Sequence, residues 1–322
     1  MIVAGIDEAG YGPLLGPLVV GCSAWDVGQA EFEAPPCIWK RLSRSVSKTR
    51  SKSGRKLHIN DSKLVYSPSA GLKELERSVL AVLGTLRDWP ATLDQVLSNL
   101  ASDAAAELAA HPWYLADGTE RFPLEQEPMS IRVLCNGLRA AMQHSQTRCV
   151  HLAARVLPER QLNRLFEATR NKSSVLFSQA ATHLDYLLRN FASQGLVVFC
   201  DQQGGREHYG HLLRVMFEDW SLEVVREGDG FAEYRLAQGL AAARIVFCEK
   251  AEAQCLAVAM ASMISKYLRE SLMRRFNAWW QRLLPDLTPT AGYYQDGTRF
   301  LQDIGTKRQE LGIADADLIR SR

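Results

Sequence analysis

Four acidic residues share one kind of address in this chain, the end of a short apolar run or the start of a helix. Asp7 and Glu8 follow "IVAGI", Asp201 closes "LVVFC", and Glu252 comes just after "RIVFCEKA". Taken singly, each is explained by a turn or a helix cap, where a carboxylate meets free amides and the helix dipole. Taken together they suggest chemistry, because ligands of open α/β sheets bind outside the carboxyl ends of the strands. Carboxylates side by side repel unless a positive group neutralises them. Oxygen donors without His or Cys select a hard cation, Mg2+ or Mn2+. Two such ions suit in-line phosphoryl chemistry, one activating water and the other steadying the leaving oxygen.

The stretch after the first acids, "GIDEAGYGPLLGPLVVG", carries Gly10, Gly12 and Gly16, which predict turns at positive φ or a backbone that something approaches closely. Further on, "KRLSRSVSKTRSKSGRK", Lys40 to Lys56, holds eight basic residues and no acid, and its serines and lack of apolar period predict a mobile loop. Its place between two blocks of candidate site residues makes it a candidate phosphate contact.

The elements that must position these residues can be read in outline. "MIVAGI" and "LVVGCSAW" predict two strands, plausible antiparallel neighbours across the Gly/Pro-rich turn. A helix opens at Ser67 or Pro68 and runs to about Leu83 on Leu72, Leu75, Val79 and Val82. The segment 89–148 is irregularly helical and predicts an inserted subdomain or lid. "CVHLAARVL" predicts a strand, and a helical stretch follows from Pro158 to about Gln194. "GLVVFCD" is continuously apolar and ends on an acid, as a buried central strand does. A helix and the runs "LEVVRE", "FAEYRL" and "ARIVFCE" come next, then one long helix from about Ala251 to Leu284. The expected class is α/β, a mixed sheet flanked by helices, with residues 1–322 as a single domain and 89–148 inserted within it.

Composition excludes little but helps. The net charge of +2 makes the molecule no polycation, so an anionic partner must be met by local patches. Seven cysteines show no C-x-x-C pair or zinc spacing, and buried free thiols in a reducing compartment are the expectation. No apolar run approaches the ~20 residues that cross a bilayer. Asp7 and Glu8 interrupt the first apolar run too early for a signal peptide. The expected location is therefore cytoplasmic, with no membrane partner.

Several blocks resemble the type 2 ribonucleases H (ribonuclease HII). "GIDEAGYGPLLGPLVV" is similar to that family's opening motif D-E-A-G-R-G-P-L-A-G-P, and "NDSK" at Asn60–Lys63 to its next block. "VVFCD" resembles the family's central-strand aspartate, and "KAEAQCLAVAMASMISKYLRE" its K-x-D block followed by A-A-S-I-x-A-K. "GYYQDGTRFL" resembles the late block with a tyrosine after glycine. The resemblance covers roughly residues 1–25, 57–83 and 149–305, in the family's order.

That resemblance implies a ribonuclease H-like fold and an endonuclease that hydrolyses the RNA strand of RNA–DNA hybrids with Mg2+ or Mn2+, leaving 3′-OH ends. It implies that Asp7, Glu8, Asp201 and Glu252 are catalytic metal ligands and that Gly10, Tyr11, Gly12, Lys63 and Tyr293 meet substrate. The glycine loop would sense a ribose 2′-OH, and Tyr293 would stack on a sugar or base. Lys266, fourteen residues beyond Glu252 on a helix, lies too far away to join the centre. The chain departs from the pattern at Tyr11, where the family has Arg, at Glu252, where it has Asp, and in the 89–148 segment and the extra strands between Asp201 and Lys250. These departures leave open a different structured DNA or RNA substrate, or a non-catalytic nucleic-acid-binding relative.

Overall fold

The computed structural model describes residues 1–321. Its strands are β1 (Ile2–Ala9), β2 (Leu18–Asp26), β3 (Val46–Ser47), β4 (Leu57–His58), β5 (Arg148–Leu157), β6 (Leu196–Asp201), β7 (Ser221–Gly228), β8 (Phe231–Gln238) and β9 (Ala241–Cys248). Seven of them form one sheet in the order β5-β2-β1-β6-β9-β8-β7, while β3 and β4 pair separately. The three central strands, β1, β6 and β9, are mutually parallel, and the antiparallel strands lie outside them. The sheet is mixed and carries helices on both faces, as expected.

Fourteen α-helices are described in chain order: α1 (Ile38–Arg41), α2 (Ser62–Val65), α3 (Lys73–Leu86), α4 (Leu93–Leu100), α5 (Ala105–Ala109), α6 (Pro128–Ser145), α7 (Glu159–Thr169), α8 (Lys172–Phe191), α9 (Gly210–Met216), α10 (Ala251–Gln254), α11 (Leu256–Leu283), α12 (Tyr294–Asp303), α13 (Gly305–Glu310) and α14 (Asp315–Leu318). Strand alternation divides the buried residues between the two faces. Val3, Val19 and Trp25 join the helices α3, α6 and α11 in one core, and Ile2, Ala4, Ile6, Leu18 and Val20 join α7 and α8 in the other.

The helix α11 lies unusually close to the sheet, and two strand glycines allow it. A Cβ on Gly5 would collide with the Val258 amide nitrogen, and one on Gly21 would stand 2.5 Å from the Ala261 carbonyl oxygen. Ser23 Oγ donates to Ala257 O at 2.8 Å and Ser265 Oγ to Asp7 O at 3.0 Å. The helix is thereby bolted to both strands that flank the opening motif.

Four expectations change in detail. The helix expected to open at Ser67 or Pro68 starts at Lys73 and runs to Leu86. The helix expected from Ala251 to Leu284 breaks at Cys255, whose extended backbone (φ −123°, ψ 121°) separates α10 from α11. The stretch from Pro158 is two helices, parted at Arg170 with φ +50°. The basic run is partly built: it contributes α1 and β3, and β3 pairs in parallel with β4. In the 89–148 segment, Leu93, Val96, Trp113, Ile131 and Leu138 are buried in the same core as α3 and α11. All seven cysteines are free, six of them buried and Cys37 exposed.

Candidate active site

The parallel strands bring the acids together. Ile6 pairs with Cys200 and Asp201 with Cys248, so Asp7 and Asp201 leave neighbouring strands at the same level. Glu252 arrives on α10, directly beyond β9. Asp201 Oδ1 accepts from the Ala251 amide at 3.2 Å, which ties the start of α10 to the end of β6. Glu8 follows Asp7 on the opposite side of the pleat at the strand's end, yet it still feels Asp201 and Glu252.

The electrostatics show groups held at a cost. Burial first, then Glu8 and Asp201, push Asp7 well above the ordinary carboxylate range. Burial and Asp201 raise Glu8 to about 7. Burial also raises Asp201 and Glu252. Lys63 is the nearby cation that pulls Glu8, Asp201 and Glu252 down. Burial works against its own charge, but Asp61, Asp7, Glu252 and Asp201 outweigh that and hold its ammonium above its usual value. Its backbone is fixed by Asp61, which caps α2 through Oδ1 to the Lys63 amide at 2.9 Å.

One lysine among four crowded carboxylates leaves negative charge unmatched, and Glu252 Oε2 is buried with no hydrogen-bond partner. An all-oxygen set with an orphaned buried acceptor fits a hard divalent cation. Among the described residues, no three acidic, histidine or cysteine side chains stand together closely enough to hold a metal ion by themselves. A cation that keeps several waters and binds through one or two carboxylates plus substrate phosphates, as Mg2+ does, needs no such set.

The opening-motif loop borders this centre. Gly10 has φ +87°, and a Cβ there would lie 2.6 Å from both Arg269 Nε and Pro17 O. Gly16 also has positive φ, at +88°, but Gly12 does not share this conformation. Space is open around Gly12, with nothing within 4 Å of where its Cβ would be, so of its two expected uses the structure supports an approachable backbone and not a positive-φ turn. Tyr11 folds back over the turn after β6, its hydroxyl 3.4 Å from where a Cβ on Gly204 would sit. Tyr293 stands half-exposed at the start of α12, beneath the Arg269 guanidinium at 5.8 Å from its ring centroid. The preceding Gly292 carbonyl accepts from the Leu14 and Leu15 amides at 2.8 and 3.1 Å, joining the late block to the motif loop.

Asp7, Glu8, Asp201, Glu252 and Lys63 thus stand within electrostatic reach of one another, with Gly10, Tyr11 and Gly12 in the loop beside them and Tyr293 joined to that loop through Gly292. Lys266 stands apart, paired with Glu270 at 2.7 Å and over the Tyr66 ring. Sequence reasoning missed Asp61, which lies inside the "NDSK" block, and Arg320, which carries no local signal. Arg320 donates to the carbonyls of Gly10 and Tyr11.

Solved structures similar to this chain include a complex of PCNA and RNase HII from Archaeoglobus fulgidus, at 16% identity and TM-score 0.44, covering 100% of this chain and 95% of that one. Ribonuclease H2 from Pyrococcus horikoshii matches at 13% identity and TM-score 0.41, covering 99% and 92%. A Bst-RNase HIII structure in complex with Mn2+ matches at 14% identity and TM-score 0.40, covering 99% and 66%. No family model and no curated protein sequence matches. These solved structures belong to the ribonucleases H of types HII and HIII, and the motif blocks resemble type HII.

Proposed function

We propose that this chain is a metal-dependent endonuclease that hydrolyses the RNA strand of RNA–DNA hybrids and leaves 3′-OH ends. The observation that carries the reading is the convergence of Asp7, Glu8, Asp201 and Glu252 with Lys63 at the ends of adjacent parallel strands, next to an open glycine loop. Asp7, Glu8, Asp201 and Glu252 would hold the cations. Two Mg2+ or Mn2+ ions, when bound, would supply water activation and charge stabilisation at the leaving oxygen. Lys63 places a positive charge at the rim, where a phosphate oxygen can approach. The open face at Gly12 lets a nucleic-acid strand lie against the backbone, whose amides and carbonyls can meet a 2′-OH. Tyr293, exposed on the far side of the loop, offers a ring for stacking.

The test is a substrate panel. Purified protein with Mg2+ or Mn2+ is given an RNA–DNA hybrid, duplex RNA, duplex DNA and branched DNA, and the product ends are mapped. Cleavage confined to the RNA of the hybrid is expected. Cutting of another member instead would reassign the substrate, and cutting of none, with binding kept, would make the chain a binding module.

A further inference from the structure

The acid-free basic run is the feature of the sequence that the carboxylate centre leaves unused. Between β3 and β4 it makes an excursion that is fastened at several points. Lys48 Nζ donates to Ala253 O at 2.6 Å, the residue after Glu252, and lies 4.1 Å from the Trp39 ring centroid. The Lys48 carbonyl accepts from Asn60 Nδ2 at 2.9 Å and contacts His58 Nε2 at 3.0 Å. One loop residue therefore touches both the helix that carries Glu252 and the block that carries Lys63. On the far side, Arg77 donates to the Gly54 carbonyl and Arg50 meets Glu74 at 3.5 Å.

Of the loop's own charges, those fastenings use Lys48 and Arg50 and leave Lys52, Arg55 and Lys56 unspent. Lys52 and Arg55 are exposed and Lys56 half-exposed, and among the described residues none of the three is in an ion pair. Ser51 and Ser53, whose hydroxyls share a 3.0 Å hydrogen bond at the surface, flank Lys52. Cations and hydroxyls on a fixed loop, with no acid to neutralise them, match the chemistry of a phosphate backbone.

We propose that the loop from Lys48 to Lys56 is a second nucleic-acid contact, a grip for backbone phosphates beyond the scissile one. The proposal rests on the nuclease reading of the carboxylate centre. Lys48 holds the grip in register with α10, so a strand bound by Lys52, Arg55 and Lys56 is presented to Glu252 and Lys63 at a fixed offset. Each phosphate neutralised releases counterions, so binding should weaken with salt in proportion to the contacts made.

The experiment measures hybrid affinity by fluorescence anisotropy across a salt series, in an Asp7→Asn background so that the strand stays intact. Lys52→Gln/Arg55→Gln/Lys56→Gln should lower the slope of log affinity against log salt by about 2 to 3, and Lys52→Gln alone by about 1. Low-salt affinity of the triple variant should drop by roughly tenfold or more. Arg87→Gln/Arg132→Gln/Arg214→Gln, the same charge change at the end of α3, on α6 and on α9, should leave the slope in place. Thermal midpoints report folding of each variant. Equal slopes for the loop triple and its parent, or equal losses in both triples, would overturn the grip while hybrid cleavage by the wild type keeps the nuclease reading. A wild type that cuts nothing but binds, with the slope lost only in the loop triple, would keep the grip and overturn the reaction. Absence of binding to every member of the panel would overturn both.

Discussion

Arg320 grips the opening motif from behind: its Nη2 donates to the Tyr11 carbonyl at 3.0 Å, while Nη1 donates to the Gly10 carbonyl, 310 positions earlier in the chain. The guanidinium is almost fully buried, and burial, then the charge of Arg269, pull it down to about 10 against the opposing influence of Glu159. A buried cation kept beside another one is costly, and here it fixes the backbone of the loop that borders the carboxylates. Arg320→Ala should destabilise the protein by about 2 kcal/mol, the scale of a charged hydrogen bond, and lower kcat/KM on the hybrid. Arg320→Lys should recover part of the stability but less of the activity, because an ammonium cannot fork onto two carbonyls. Thermal midpoints and kcat/KM check this, and an alanine variant unchanged in both would remove Arg320 from the loop's support.

Charge in the carboxylate centre should be visible as pH-dependent stability. A carboxyl whose folded pKa stands above its unfolded value contributes stability fully below the unfolded value and loses it as pH rises through the folded one. For Glu8 that window runs from 4.5 to about 7, set by burial and Asp201. In chelator, the thermal midpoint should therefore fall between about pH 5 and about pH 8, and Mg2+ should raise it more at the higher pH. Asp7→Asn removes one of the repelling charges and should reduce the fall while cutting turnover by roughly 1,000-fold, equivalent to about 4 kcal/mol of lost charge stabilisation. Undiminished turnover by Asp7→Asn, or a midpoint that climbs with pH in chelator, would count against the centre.

A second buried acid gives an independent pH signal. Glu159 sits wholly inside, accepting from the Gly16 amide and the Tyr114 hydroxyl, both at 2.8 Å, and its Oε2 has no partner. Burial raises it from 4.5 to about 7. Its stabilising contribution is again complete at low pH and lost on the way up. With Mg2+ saturating, Glu159→Gln should match the wild type at about pH 5 and exceed it at about pH 8. At about 1.4 kcal/mol per pH unit the gain is capped near ~3 kcal/mol. Denaturant unfolding at the two pH values measures it, and a variant that loses ground as pH rises would reverse the assignment.

Much of the frame was legible because local pattern and final environment agree. "LVVFCD" reads as a buried central strand and becomes β6, bordered on both sides by parallel strands. The antiparallel pairing of the first two strands follows from their patterning and turn. The break at Cys255 was not legible, since the apolar spacing of α11 runs straight through it and the extended conformation belongs to the way α10 docks on Asp201. Which of its two possible uses Gly12 serves was not legible either: its type permits positive φ, but only the path of the loop decides whether φ is used or the space is left open. Arg320 lay beyond sequence reasoning altogether, because its partners are backbone carbonyls, which have no residue type to match.

Under the proposed function, specificity for the ribose is where Tyr11 would matter. An arginine at this position would offer several charged donors to a phosphate, whereas tyrosine offers one neutral hydroxyl. In this chain the hydroxyl is turned toward Gly204, and burial, then Glu8, raise its pKa against the pull of Arg206 and Arg320. The ring therefore packs on the turn after β6, and under the proposed function the loop's remaining contacts with substrate would come from the Gly10–Gly12 backbone and from Tyr293. Such a site should require a 2′-OH but depend on several successive ribonucleotides, cutting runs of them better than a single one embedded in DNA. In Tyr11→Arg, the guanidinium would be repelled from the position of the ring by Arg206 and Arg320 and would turn outward, toward the side from which phosphates approach. Exchanging a neutral hydrogen bond for a charge-assisted one is worth about 1 kcal/mol or slightly more. The ratio of kcat/KM on the single-ribonucleotide substrate to that on the run should accordingly rise by roughly fivefold to tenfold. The two substrates are compared for wild type and variant under the same salt. A wild type that already prefers the lone ribonucleotide, or a ratio unmoved by the substitution, would show that the residue between Gly10 and Gly12 does not set the choice.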